Sequence, residues 1–194
     1  MNKKTYNIIW IYLLLFISFI FALISLFFHR YTIQSFLFTS GHVSEIEKTA
    51  YHEAGHALIA LSFPENFNVI SVTIVPTNKT LGHVKHSVIK RNNHNQALIC
   101  LGGVASESLL FEQNRININD VGKGSGDDIK KLKTIMPICK NQKEYTNFLN
   151  KTKTILRKNQ KILDKISKEL LLKKTLHKDE LNEIIKKNGP INLN

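Results

Sequence analysis

The sequence contains few of the residues that cross-link small secreted domains or interrupt secondary structure. Its 194 residues include only two cysteines, four prolines and one tryptophan. Two cysteines cannot build a disulfide framework, and two free thiols are typical of a reducing compartment. We interpret Cys100, in an apolar helical run, as a small buried side chain, and neither Cys100 nor Cys139 as a metal ligand.

Acidic residues are also scarce, with 15 Asp and Glu against 27 Lys and Arg and a formal net charge of +12. Most of the positive surplus lies after Lys130. Basic helices can attract nucleic acid or anionic lipid, but no nucleic-acid-binding motif accompanies these lysines and aromatic residues are not interleaved with them. We therefore predict no nucleic-acid partner and interpret the lysines as solvated helix faces beside an anionic membrane surface. The glycine-rich loop at 122–126 lacks the G-x-x-x-x-G-K-[ST] form of a phosphate-binding loop.

One long apolar run is present, from Ile8 to Phe28. It is long enough to cross the roughly 30 Å hydrocarbon core of a bilayer as a helix, and aromatic residues lie near both ends. A cleaved signal peptide is the alternative, but the run is too long and no small-x-small cleavage site follows it. We predict a single-pass membrane anchor in residues 1–30 and a linker in residues 31–43. The flanking charges are balanced and do not determine the orientation.

The segment from His52 to His56 has the H-E-x-x-H form of a hydrolytic zinc site. Four residues make little more than one helical turn, so the two histidines lie on one face and can bind the same Zn²⁺. Glu53 is then close enough to a zinc-bound water to act as a general base. The alternative is a surface helix that happens to carry two histidines. A capping box that starts at Ser44 and an apolar stripe at helical spacing argue against it.

A catalytic zinc needs a third protein ligand and an open position. Glu107, on a downstream helix, is the natural choice by analogy with other zincins. Histidines on an exposed strand are the weakest choice because they are common on protein surfaces. Chemistry alone leaves six candidates, which are Glu107, Asp120, Asp127, Asp128, His83 and His86.

The hydrophobic pattern predicts a mainly α (α+β) domain over residues 44–187, followed by a tail at 188–194. The β-branched run 69–75 and the more polar run 82–89 are predicted to form a β-hairpin. The edge of its first strand could pair with an extended substrate.

The remaining predicted elements are helical. They run from about 95 to 111, from Asp127 onward, and through an amphipathic region that ends near Lys187. Gly102 and Gly103 lie inside the first of these helices, where each costs roughly 1 kcal/mol relative to alanine. Close packing against a neighbouring element is the expected reason for them.

These segments resemble the peptidase domain of the FtsH family of membrane-bound, ATP-dependent zinc metalloproteases. The resemblance covers roughly Lys48 to Ile185 in order. G-G-V-A-S-E is similar to the family's G-G-R-A-A-E, and G-S-G-D-D-I is similar to its G-A-S-N-D-I. The matching segments are T-A-Y-H-E-A-G-H-A-L at 49–58, V-T-I-V-P at 72–76, L-G at 81–82, G-G-V-A-S-E at 102–107, G-S-G-D-D-I at 124–129 and the closing helices from 155 to 176.

The resemblance implies one Zn²⁺ per chain, bound by His52, His56 and Asp128, with Glu53 as the catalytic residue. It thus implies Asp128 rather than Glu107 as the third ligand, and Glu107 is then expected to orient a ligand imidazole. Asp127 replaces the family's asparagine and remains a competitor for the ligand position.

The implied function is that of a membrane-anchored zinc metalloendopeptidase that cleaves unfolded or flexible protein segments on the cytoplasmic side. The sequence shows no counterpart of the family's ATPase module, and the stretch from Met136 to Tyr145 is shorter than in the family. Besides protein substrates, the expected partners are therefore an ATPase acting in trans or further copies of the chain. The alternative is an inactive membrane adaptor that binds substrates or an FtsH-type ATPase, and the intact ligands and Glu53 argue against it.

Overall fold

The computed structural model of the chain describes residue 20, residues 43–78 and residues 80–193. The chain divides into two units, Met1–Gly41 and His42–Asn194, and the elements below all belong to the second. The predicted membrane anchor, apart from residue 20, and nearly all of the predicted linker lie outside the described residues. Within the described part, we find no helix with both the length and the apolar character required to span a bilayer.

The described part of the second unit is mainly helical, as predicted. The motif helix, the two hairpin strands, the helix predicted at about 95–111, the start of the next helix near Asp127 and the end of the last helix near Lys187 all lie within a few residues of their predicted positions. Short 3-10 turns at Ile118–Asp120 and Pro137–Lys140 flank the third helix. The helices are α1 (Glu45–Leu61), α2 (Asn93–Glu112), α3 (Gly126–Ile135), α4 (Gln142–Lys158), α5 (Gln160–Lys173) and α6 (Lys178–Asn188), and the strands are β1 (Phe67–Thr73), β2 (His83–Val88) and β3 (Thr175–His177).

Helix α1 is the central element of this unit. Its N-cap is Ser44, whose hydroxyl accepts a hydrogen bond from the Glu47 amide at 3.3 Å, which confirms the N-cap half of the predicted capping box. The Glu47 carboxylate pairs with Arg115. The buried face carries small residues that let neighbouring elements approach, and α1 packs against α2, α5 and β1. The candidate site residues on α1 therefore lie on a helix whose orientation is determined by the hydrophobic core.

The three strands form an antiparallel sheet in the order β2-β1-β3. The predicted hairpin of β1 and β2 is confirmed, with Thr73 opposite His83 and Phe67 opposite Val88. The third strand was not predicted, because Thr175 and Leu176 were assigned to a closing helix. That assignment is wrong because Lys174 ends α5 with a positive φ of 66° and turns the chain into the sheet.

The position of β1 also corrects the prediction of a substrate-pairing edge at residues 69–75. β1 is the central strand, and its residues Ser71 to Thr73 pair with β2 on one side and β3 on the other. Its backbone groups there already take part in the sheet, so a substrate strand cannot add to that part of β1. Along this paired stretch the outer edges of the described sheet belong to β2 and β3, while residues 67–69 of β1 pair with β2 alone.

Candidate metal centre

The two histidines of the motif lie on successive turns of α1, with their Nε2 atoms 3.1 Å apart. His56 Nδ1 is 2.6 Å from the carbonyl oxygen of Ile99, and His52 Nδ1 is 2.8 Å from Oε1 of Glu107. A carbonyl or carboxylate oxygen can only accept, so both Nδ1 atoms donate. This arrangement leaves the two Nε2 atoms available to a shared ion.

Asp128, in the first turn of α3, completes the cluster. Its Oδ2 is 3.2 Å from His56 Nε2 and 3.5 Å from His52 Nε2. One ligand atom from each of the three residues lies within 4.8 Å of the other two. In a tetrahedral zinc site with bonds of about 2.0–2.1 Å, neighbouring ligand atoms are about 3.3 Å apart. The separations and the donor set of two imidazole nitrogens and one carboxylate oxygen therefore fit a zinc ion.

The charges within the cluster favour an ionised aspartate. Burial acts to raise the pKa of Asp128, but hydrogen bonds from His52 and His56 outweigh it and hold that pKa well below its usual value. Burial likewise acts to lower the pKa of His52, but the hydrogen bonds to Asp128 and Glu107 outweigh it and raise that pKa to about 10. Without an ion the ring therefore carries a proton on Nε2 as well, and a zinc ion would take the place of that proton. Asp128 is therefore an anionic oxygen donor at neutral pH, as a metal ligand should be.

Close packing of α1 against α2 brings the candidate ligands to their partners. At Gly102, an added Cβ would lie 2.7 Å from the backbone of Gly55, so the two helices cross backbone to backbone. At Gly103, an added Cβ would overlap the ring of His52. The prediction that the paired glycines serve close packing is thus confirmed. The absence of a side chain at Gly102 allows α1 to approach, and its absence at Gly103 leaves room for the His52 imidazole.

Glu53 lies in the same turn as His52 and is only 7% exposed. Burial raises the pKa of its carboxyl group, while the charges of His56 and His52 act in the opposite direction. An added Cβ at Gly82 would lie 2.7 Å from Glu53 Cγ and 2.9 Å from its Oε1, so the start of β2 encloses this side chain. A buried carboxyl with a raised pKa is well suited to accept and hold a proton.

The other candidates for the third ligand are not part of the cluster. Glu107 contacts the far nitrogen of His52, as expected for a residue that orients an imidazole. Asp120 lies 3.8 Å from Lys123, and Asp127 is exposed. The two strand histidines also lie outside the three-residue group, with His83 exposed on β2.

Three contacts of the site involve backbone groups or glycines that are not among the site residues predicted from the sequence. They are the Ile99 carbonyl that accepts from His56, the Gly122 amide that donates to Glu107 Oε2 at 2.5 Å, and the close approach of Gly82 to Glu53. A backbone carbonyl carries no residue-specific signal, so Ile99 could not be found from the sequence. The leucine-glycine pair at 81–82 was part of the family resemblance, and that signal could have drawn attention to Gly82.

The known proteins to which the chain is similar are metalloproteases, in agreement with the zinc-site geometry described above. The family model described as peptidase family M41 matches residues 42–139, just over half of the chain. The chain is 31% identical over 178 residues to the ATP-dependent zinc metalloprotease FtsH of Lachnoclostridium phytofermentans, a match that covers 73% of the chain and 30% of the relative.

Two further relatives carry the same description. The chain is 29% identical over 178 residues to FtsH 1 of Alkaliphilus metalliredigens, which covers 70% of the chain and 29% of the relative. It is 36% identical over 90 residues to FtsH 1 of Rhodopirellula baltica, which covers 42% of the chain and 13% of the relative. The chain thus spans less than a third of the length of these curated relatives.

Proposed function

This chain belongs to peptidase family M41, and we propose that it is a zinc-dependent endopeptidase that hydrolyses peptide bonds in unfolded or flexible protein segments. The observation that carries the proposal is that His52 Nε2, His56 Nε2 and Asp128 Oδ2 lie close enough together to bind one ion. The buried carboxyl group of Glu53 belongs to the residue that follows His52. The names of the relatives, each an ATP-dependent zinc metalloprotease, support zinc as the ion.

In the proposed reaction, the three ligands hold one Zn²⁺ and Glu53 moves protons. When bound, zinc supplies Lewis acidity, which makes a water acidic near neutral pH and polarises a substrate carbonyl. Glu53 accepts the proton of the attacking water and returns a proton to the leaving amine nitrogen, which breaks the peptide bond. The hydrogen bonds from the Nδ1 atoms of His52 and His56 keep both rings in the required orientation.

Membrane attachment is part of the proposal and is supported by the sequence alone. The apolar run from Ile8 to Phe28 has the length of a membrane-spanning helix. We propose a single-pass anchor with the peptidase unit on the cytoplasmic side. We also propose an ATPase in trans or further copies of the chain as partners, by analogy with the names of the relatives. Carbonate extraction of membranes followed by protease protection tests the anchor and its orientation.

The first test replaces Glu53 with glutamine, which has nearly the same shape but cannot accept the proton. We expect Glu53→Gln to keep one zinc per chain and to cleave casein at least about 100-fold more slowly, since general base catalysis contributes about 10²–10⁴-fold. Zinc content and casein cleavage are measured on the same preparation. An inactive adaptor would bind casein and leave it uncut in the parent chain as well. Equal cleavage by parent and variant would contradict the role of Glu53.

The second test compares two neighbouring aspartates. Asp128→Ala removes a proposed ligand, whereas Asp127→Ala removes an exposed carboxylate of the same helical turn. Loss of an outer hydrogen bond at a metal site costs about 10–100-fold in metal affinity. We expect Asp128→Ala to exceed that loss and Asp127→Ala to stay near the parent value, in a competition titration against a zinc chelator. The opposite order would assign the ligand role to Asp127.

A further inference from the structure

The outer face of α3 lines a cavity of about 540 Å³ between this helix and the turn Pro137–Lys140. This volume is within the range of about 300–1,000 Å³ that is common for ligand sites. Ile129 and Pro137 form the apolar part of the cavity wall, and Thr134 adds a hydroxyl group. The remaining side chains that line it are those of Lys130, Lys133 and Lys140.

The charge of this cavity comes from its three lysines, and the described residues that line it include no acid. All three lysines are exposed, and none makes an ion pair with another described residue. Lys131, by contrast, lies 3.8 Å from Oδ1 of Asp128. Three like charges around one concave surface raise the local concentration of anions.

We propose that this cavity binds an acidic segment of the polypeptide substrate, with Asp or Glu side chains several residues away from the cleaved bond. The proposal rests on the endopeptidase function proposed above. Gly126 lines the cavity and lies two residues before Asp128. Helical periodicity places the cavity and Asp128 on opposite faces of α3, so a substrate that occupies both must pass around the first turn of this helix.

The form of the cavity favours a peptide over a small anion. A chain cleaved at the metal centre continues on both sides of the cleaved bond, and five extended residues span about 17 Å. Lysine ammonium groups on flexible stems act as point charges and do not impose a planar, bidentate geometry. Such a surface accepts carboxylates at varied positions along a flexible acidic segment.

The test compares two labelled peptides of equal length with the same apolar centre. One carries a run of glutamates beside that centre, and the other carries glutamines there. Both are titrated by fluorescence anisotropy against the full-length protein loaded with zinc and carrying Glu53→Gln, which prevents cleavage. We expect the glutamate peptide to bind about tenfold more tightly at low salt, since three exposed charge pairs each contribute modestly, and to lose that advantage as salt is added.

Two triple variants identify the charges that matter. The first changes Lys130, Lys133 and Lys140 to glutamine, and we expect it to bind both peptides equally. The matched control removes the same total charge from exposed lysines on α4 and α5 that make no ion pair with described residues, namely Lys158, Lys161 and Lys168. We expect the control to keep most of the preference for the glutamate peptide.

The outcomes separate this proposal from the proposed function. Equal weakening by the two triple variants, or no preference for the glutamate peptide, would overturn the acidic-segment site even if casein is cleaved normally. A preference that depends on Lys130, Lys133 and Lys140 would support the site even if the chain cleaved nothing. Vesicles with phosphatidylserine are the third probe. If the first triple variant loses vesicle binding but keeps the peptide preference, the cavity faces lipid and the proposal is wrong.

Discussion

The helix that carries two of the candidate ligands is deeply buried, and the helix that carries the third is not. Eleven of the 17 residues of α1 are buried, but only Leu132 is buried among the ten residues of α3. Helix α1 crosses α2 through backbone contact between Gly55 and Gly102, whereas an added Cβ at Gly126 of α3 would meet nothing within 4 Å. The histidine pair is therefore formed by core packing, and the approach of Asp128 depends on weaker local interactions.

One side chain connects the two regions. The carboxylate of Glu107, on α2, accepts from His52 through Oε1 and from the backbone amide of Gly122 through Oε2. Gly122 has a positive φ of 74° in the turn that leads to α3. Glu107 therefore links an imidazole on the buried helix to the segment that carries Asp128. The site thus combines a histidine pair held by core packing with an aspartate, Asp128, whose segment is attached through a few hydrogen bonds.

The largest expected effect comes from placing an alanine where α1 crosses α2, compared with an alanine on the exposed helix α3. Gly102→Ala would place Cβ 2.7 Å from the backbone of Gly55, which cannot move away without separating α1 from α2. We expect a loss of about 3 kcal/mol or more in the free energy of unfolding, at the upper end of overpacking costs. Gly126→Ala is the matched control, and we expect a change within about 1 kcal/mol. Urea unfolding of both variants measures the difference, and equal losses would remove the contrast between the regions.

The second prediction concerns Glu107, whose carboxylate links His52 to Gly122. Glu107→Gln keeps the size of the side chain, but its amide nitrogen cannot accept from His52 or Gly122. We expect zinc affinity to fall by about 10–100-fold, as at other sites where a ligand imidazole loses its partner. A chelator competition titration measures it.

A control for this substitution lies at the end of the same helix. Glu112→Gln loses charge at an exposed carboxylate that pairs with Lys153 and Arg157 at 2.5 Å each. We expect this variant to bind zinc like the parent chain. Equal loss of affinity in both variants would point to a general effect of charge instead of the link through Glu107.

The same contrast explains which features could be predicted from the sequence. The pairing of His52 and His56 follows from helical periodicity, because both residues lie on one continuous element. Asp128 could be selected among several acids only through the family resemblance, because its approach depends on the path of the chain between α2 and α3. Strand β3 was missed since Thr175 to His177 is too short to show an alternating pattern. The partners at Ile99 and Gly122 are backbone groups, which the residue type does not reveal.

The last prediction concerns the smallest effect, the local response to metal removal. A ligand that binds only the folded arrangement stabilises the parts that it holds together. Chelation of zinc should therefore accelerate amide exchange in α3, with its single buried residue, by about tenfold or more, while α1 remains protected by the core. Hydrogen exchange with and without chelator measures both helices in one sample. The Asp128→Ala variant provides the control, since its α3 should exchange rapidly with or without chelator. If chelation instead loosened α1 and left α3 unchanged, the histidine pair would depend on the ion for its geometry, and core packing could not be its cause.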